Sequence, residues 1–230
     1  RMASIWQENI QFPQFPTLKG DFHTDILIIG GGMAGLLCAR KLQEAGAEYL
    51  LCEADTLCSG ITKNTTAKIT AQHGLCYHKL IEKFGIEKAK LYLQANLAAV
   101  EEFARLCADI DCDFSRQDSF VYSMTDRKKL EKEFSALQKL GFPAESAEDI
   151  PLPFPTAGAV KFPNQAQFHP LKFLSSIAQG LEIYEHTPIR ELGPGWAKTD
   201  HGMIYAEKII VATHFPFLNK HGSYFLKMYQ

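Results

Sequence analysis

Hydrophobic and polar positions along this chain switch between a short and a long period, and the switches mark its elements. Thr24–Ile29 is a compact apolar run closed by glycines, which predicts a buried parallel strand. Met33–Ala45 then reads as a helix with Leu36, Leu37 and Leu42 on its inner side and Gly46 as its stop. Tyr49–Cys52 is a second buried strand. Strand, glycine turn, helix and strand in this order predict a βαβ unit with adjacent parallel strands.

The remaining pattern is less regular. Residues 1–22 are rich in Pro, Gln and Phe and read as an extended surface arm. Asp55–Thr70 is polar, rich in Ser, Thr and Gly, and longer than an ordinary connection, so a ligand or mobility must explain it. Glu87–Cys107 carries apolar residues at spacings of three and four and predicts a long packing helix. Phe114–Met124 is expected as a strand, followed by a helix capped by Asp126, facing inward through Leu130, Phe134, Leu137 and Leu140, and stopped by Gly141. Beyond a proline-punctuated loop come a strand at Thr156–Phe162, a helix at Leu171–Gln179 and a strand at Leu181–Tyr184. Ile189–Tyr205 reads as a small antiparallel meander, and Lys208–Ala212 as a last buried strand.

The chemistry lies in the first turn. Gly30-Gly31-Gly32-Met33-Ala34-Gly35 contains G-x-G-x-x-G through Gly30, Gly32 and Gly35, between a predicted strand and a predicted helix. Gly30 permits the tight turn, Gly32 leaves room for a pyrophosphate, and Gly35 lets the helix pack on the strand. The helix N-terminus, at Met33 and Ala34, favours phosphate charge. Glu53 stands at the end of the second strand, 18 positions past Gly35, where a carboxylate accepts both hydroxyls of an adenosine ribose. The same charge repels a 2′-phosphate, so the expectation is a dinucleotide other than NADP.

Composition narrows the classes. A 46% hydrophobic, 22% charged chain of 230 residues is a folded protein with a sizeable core. A net charge of −2 gives no footprint for nucleic acid or an anionic membrane surface. Apolar runs such as Ile26–Ile29 are strand-sized, far short of the roughly 20 residues of a membrane span. Six scattered cysteines without a C-x-x-C pair suggest reduced thiols in a cytoplasmic protein and no metal site. Only one glycine fingerprint is present, so no second nucleotide domain of the disulfide-reductase type is expected.

The run from Asp25 to Gly35, with Glu53-Ala54 and Ser59-Gly60 after it, resembles the D-amino-acid-oxidase-like superfamily of FAD oxidoreductases, which includes glycine and sarcosine oxidases. The resemblance implies an α/β fold: a Rossmann-type FAD domain at 23–110 and 166–214, with a partial β-rich substrate domain inserted at 111–165. It implies FAD as cofactor, a small amine or amino-acid-like donor, and hydride transfer to flavin. It places Ser59, Gly60, Thr65, Thr66 and Ala67 beneath the pyrophosphate and flavin, Ile189 at adenine, and Ala212-Thr213 over the nucleotide. His214 departs from the glycine usual in relatives. Lys68 and His73 are candidate cations near the flavin. Members with a similar Thr-Thr-Ala-Lys stretch carry a C-terminal Rieske domain, which implies an iron–sulfur electron acceptor. That domain would lie past residue 230, and residues 215–230 read as a truncated segment that leaves the substrate side incomplete and the catalytic residues unassigned. Two other readings stand at this point: an NAD-linked dehydrogenase, which gives the Ser/Thr segment no task, and a non-catalytic nucleotide-binding module.

Overall fold

The computed structural model describes residues 4–8, 10–148, 150 and 152–214. In chain order it has β1 (Phe22–Ile29), α1 (Met33–Glu44), β2 (Tyr49–Cys52), β3 (Lys68–Ile69), α2 (Tyr77–Phe84), α3 (Ile86–Cys107) and β4 (Ser115–Tyr122). There follow α4 (Arg127–Lys139), β5 (Glu145–Ala147), β6 (Ala159–Gln167), α5 (Pro170–Ile177), β7 (Ile183–Tyr184), β8 (Glu191–Gly193), β9 (Trp196–Lys198) and β10 (Met203–Val211). Short 3-10 turns lie at Ile5–Gln7 and Ile61–Asn64. The chain divides into two compact units, one of residues 1–65 with 170–230 and one of Thr66–His169.

The first unit is an α/β sheet in the order β7-β2-β1-β10-β9-β8. β1 runs parallel to β2 and to β10, and β2 parallel to β7, while β8 and β9 add an antiparallel edge. Strand alternation puts Leu27, Ile29, Leu50 and Cys52 into one core with Ile189, Ala197 and Ile204. Ile28 and Leu51 point the other way and are fully buried, on the side where α1 brings Leu36 and Ala39. Each of the fully buried Leu and Ile side chains contributes about 1.5–3 kcal/mol by leaving water. The helix ends where Gly46, at φ +68°, donates its N–H back to Gln43 O.

Two expectations for this unit change. The N-terminal arm does not lie wholly on the surface: Leu18 is fully buried, and its N–H donates to Thr187 Oγ1 at 3.1 Å. Lys208–Ala212 is not a separate buried strand but the end of β10, and Val211 is half exposed. The reason is pairing: β9 reaches only Met203–Tyr205, so among the described residues the last part of β10 has β1 alone beside it.

The second unit is a four-stranded antiparallel sheet with three helices on one face. β6 lies between β3 and β4 and also pairs with β5. Tyr77, Leu93, Leu137, Val160 and Phe162 form its core. This unit is wider than the 111–165 expected, because α2 and α3 join α4 and β6 in its core. β6 starts at Ala159 and runs on past Pro163 to Gln167, whereas the strand expected from sequence spans Thr156–Phe162. A bulge between Gln117 and Ser119 absorbs the missing N–H, and Asn164, at φ +56°, donates its own N–H to Asp118 Oδ1. α2 is an addition that periodicity does not reveal. Its first turn is capped from α4 by the buried Glu133, which accepts the N–H groups of Tyr77 and His78 at 2.7 and 3.0 Å.

Candidate functional site

The turn between β1 and α1 is built by contacts that only glycine allows. Gly30 has φ +112°, and a Cβ there would meet the Ala212 carbonyl oxygen at 2.9 Å. A Cβ on Gly35 would stand 1.9 Å from Gly30 O, so the helix rests directly on the strand end. A Cβ on Gly31 would meet Leu57 Cδ2 at 2.5 Å. Gly32 is the N-cap of α1 and offers no side-chain acceptor, so the first helical N–H groups face outward. Met33 N–H reaches Thr62 Oγ1 at 3.4 Å, and Ala34 N–H has no acceptor among the described residues.

Glu53 closes the turn from β2. Its Oε2 accepts Gly31 N–H at 2.6 Å and its Oε1 accepts Asp55 N–H at 2.9 Å. Each oxygen keeps a further lone pair. The segment after it folds back over the turn: Cys58, at φ +57°, donates its N–H to Gly31 O at 3.1 Å. Burial, and then the charges of Glu53 and Glu185, push the Cys58 thiol up to about 12. It stays a neutral thiol at ordinary pH.

These pieces enclose a cleft of about 730 Å³, within the range of small-molecule sites. Gly30, Gly32, Met33, Ala34, Glu53, Ser59, Gly60, Thr65, Ala212 and Thr213 line it, so ten of the fifteen residues singled out from sequence come together here. Gly35 lies behind the turn, and Ala54 is exposed just beyond β2, outside the lining. Ile189 is 8% exposed and packs in the sheet core, also outside the lining. Thr66 and Ala67 open the second unit; Ala67 is buried there at φ +57°, and its carbonyl accepts Phe168 N–H. Lys68 lies on β3, and His73 Nδ1 stands 2.9 Å from Tyr92 Oη, both in the second unit.

Cys58, Ile61, Thr62 and Val211 also line the cleft, beyond the residues expected from sequence, and so does His214, which stands where relatives usually have glycine. Thr62 had a signal, since it sits in the Ser/Thr-rich segment. Val211 had none beyond its neighbour Ala212.

The donor set fits a nucleotide diphosphate: an uncapped helix N-terminus, a glycine turn with no room for side chains, and a carboxylate one strand away. The family model described as DAO, FAD dependent oxidoreductase, matches residues 25–225. The chain belongs to this family. FAD is therefore its cofactor class, and the NAD-linked and non-catalytic alternatives are set aside. YhfW of Bacillus subtilis (strain 168), named as a Rieske 2Fe-2S iron–sulfur protein, is 35% identical over 98% of this chain and 47% of its own length. Gamma-glutamylputrescine oxidoreductase of Escherichia coli (strain K12) is 23% identical over 88% of this chain and 51% of its own. The chain thus spans about half the length of the curated relatives it matches.

Among solved structures, L-proline dehydrogenase from P. horikoshii aligns with a TM-score of 0.66 at 19% identity, covering 84% of this chain and 53% of that one. Glycine oxidase from Geobacillus kaustophilus aligns at 0.61 and 18%, covering 84% and 55%. The shared fold is the expected one. Among the described residues no helix is long and apolar enough to cross a membrane, and no group of three or more His, Cys, Asp or Glu is arranged to hold a metal.

Proposed function

We propose that the cleft of the first unit holds the adenosine diphosphate part of FAD, and that the protein oxidises a small amine or amino-acid-like donor. When bound, the flavin supplies the acceptor for the donor's hydride. The chain's own groups do the holding. The first N–H groups of α1 and the glycine turn take the pyrophosphate. Glu53 accepts the ribose hydroxyls on lone pairs that Gly31 and Asp55 leave open. Ser59, Gly60, Thr62 and Thr65 supply donors along the far wall.

The observation that carries this reading is the pairing of an uncapped helix N-terminus with Glu53 across one 730 Å³ cleft. The second unit supplies the substrate domain. A cavity of about 540 Å³ on its sheet, lined by Lys68, Gln117, Phe120, Tyr122 and Gln167 among others, combines polar and aromatic groups suited to a small polar donor. The identity with YhfW supports an iron–sulfur centre as electron acceptor, and the free, mostly buried thiols support a cytoplasmic setting.

The test is to load the purified protein with FAD, remove free cofactor, and record the visible spectrum before and after anaerobic addition of amines and amino acids. Retained flavin that bleaches with one of these donors is the expected result. Flavin retained but reduced by none of them overturns the donor class, and no retained flavin overturns the site.

A further inference from the structure

We propose that Glu185, which does not line the cleft, is a positioning residue for the cofactor: it sets the wall that Leu57–Thr62 form. The proposal rests on the FAD reading of the cleft.

Glu185 follows β7 and is only 6% exposed. A buried carboxylate is costly unless strong donors compensate it. Its Oε1 accepts the Leu57 N–H at 2.6 Å, a short charge-assisted bond between residues 128 apart in sequence. Its own backbone is fixed on both sides, with the N–H on Pro16 O at 3.1 Å and the carbonyl accepting Thr187 Oγ1 at 2.9 Å. The carboxylate therefore projects from a rigid base.

Leu57 is where the bond matters. It is 4% exposed, and its Cδ2 occupies the space a Cβ on Gly31 would need. The next residue, Cys58, ties its N–H to Gly31 O, and from Cys58 onward the chain lines the cleft through Thr62. Releasing the Leu57 N–H frees the start of this wall and the support beneath Gly31, whose own N–H holds Glu53. Glu185 thus acts on the ribose and pyrophosphate positions through two backbone bonds and one side chain, without touching the ligand.

The charge itself is not required, only an acceptor at that reach. Glu185→Gln keeps a carbonyl oxygen within reach of Leu57, Glu185→Asp is one methylene too short, and Glu185→Leu has no acceptor. FAD titration by fluorescence quenching, on proteins checked for folding by circular dichroism, separates these. The expected order is near wild-type affinity for Gln and a loss of about tenfold or more for Asp and Leu, with the Leu57 amide exchanging faster with solvent in both. Should Glu185→Leu not fold, the Asp and Gln pair carries the comparison. Wild-type affinity in folded Asp or Leu variants overturns the role of Glu185, as does an equal loss in Gln and Asp. Failure of the wild-type protein itself to bind FAD overturns the cleft reading and this proposal with it.

Discussion

The Glu53 carboxylate and the Gly31 N–H meet at 2.6 Å, which joins the end of the second strand to the middle of the glycine turn. The carboxylate proposed to hold the ribose and the turn proposed to cradle the phosphates are thus one hydrogen-bonded assembly. Preorganisation of this kind lowers the ordering cost of binding.

Glu53→Ala is expected to weaken FAD binding by about 1–3 kcal/mol, roughly 5- to 150-fold, as ribose bonds and turn support are lost together. Glu53→Gln keeps one acceptor oxygen but offers an N–H₂ where Gly31 or Asp55 already donates, so its loss falls between wild type and Ala. Fluorescence titration into apo-protein measures both. An unchanged dissociation constant in a folded Ala variant removes Glu53 from the site.

Gly32 and Gly35 separate binding from folding. A Cβ on Gly35 would collide with Gly30 O at 1.9 Å, so Gly35→Ala must push α1 off β1, a strain of about 1–3 kcal/mol or more. A Cβ on Gly32 would meet only Thr62 Oγ1, at 3.3 Å, and that hydroxyl can rotate away. Gly32→Val is expected to fold but to retain little flavin, while Gly35→Ala loses thermal stability. Thermal melts read one variant and flavin content the other. Full flavin in Gly32→Val means the turn does not cradle phosphate.

The βαβ opening was legible because its signals are local: the glycines, the apolar run and Glu53 lie within about thirty positions of one another. α2 was not, because its cap, Glu133, comes from a helix 56 residues further on, and only Gly85, at φ +82°, separates it from α3. The same holds in the cleft. Ser59, Gly60 and Thr65 belong to a segment whose composition stands out, but Glu185 acts over 128 residues through a single bond and leaves no periodic trace. β6 outruns its expected end at Phe162 for a related reason, since the bulge that accommodates Pro163 depends on Asp118 in another strand.

Burial pushes the thiols of Cys52, Cys58 and Cys107 up to about 12, from an ordinary value of 9.0. Groups that hold their proton more tightly when folded contribute stability that is fully present below pH 9. That stability is lost as pH rises from about 9 towards 12. Denaturant midpoints should therefore fall across this window and show no cysteine-linked change between pH 6 and 8. At pH 8 the native protein should be alkylated first at Cys38, which is half-buried, with Cys52 and Cys58 reacting only on unfolding. Peptide mapping after a short iodoacetamide pulse identifies the sites, and early labelling of Cys58 contradicts the closed wall described for the cleft.

The N-terminal arm braces the opposite end of that wall. Trp6 donates its indole N–H to Thr65 O at 2.8 Å, and Thr65 N–H turns back to Thr62 O at 3.5 Å, closing the 3-10 turn. Thr62 then presents its hydroxyl to Met33 N–H at the start of α1. An aromatic ring outside the Rossmann core thereby fixes a hydroxyl at the α1 end of the cleft. Trp6→Phe keeps much of the ring contact and deletes only the donor, so the global cost should be small, about 0.5–1.5 kcal/mol. The local effect should be larger: faster amide exchange over residues 61–65 and an FAD affinity reduced several-fold, with α1 and β2 protected as before. Hydrogen exchange followed by peptide mass analysis reads the first and fluorescence titration the second. If both stay at wild-type values in Trp6→Phe, the arm covers the first unit without organising its cleft, and the wall depends on Glu185 and Leu57 alone.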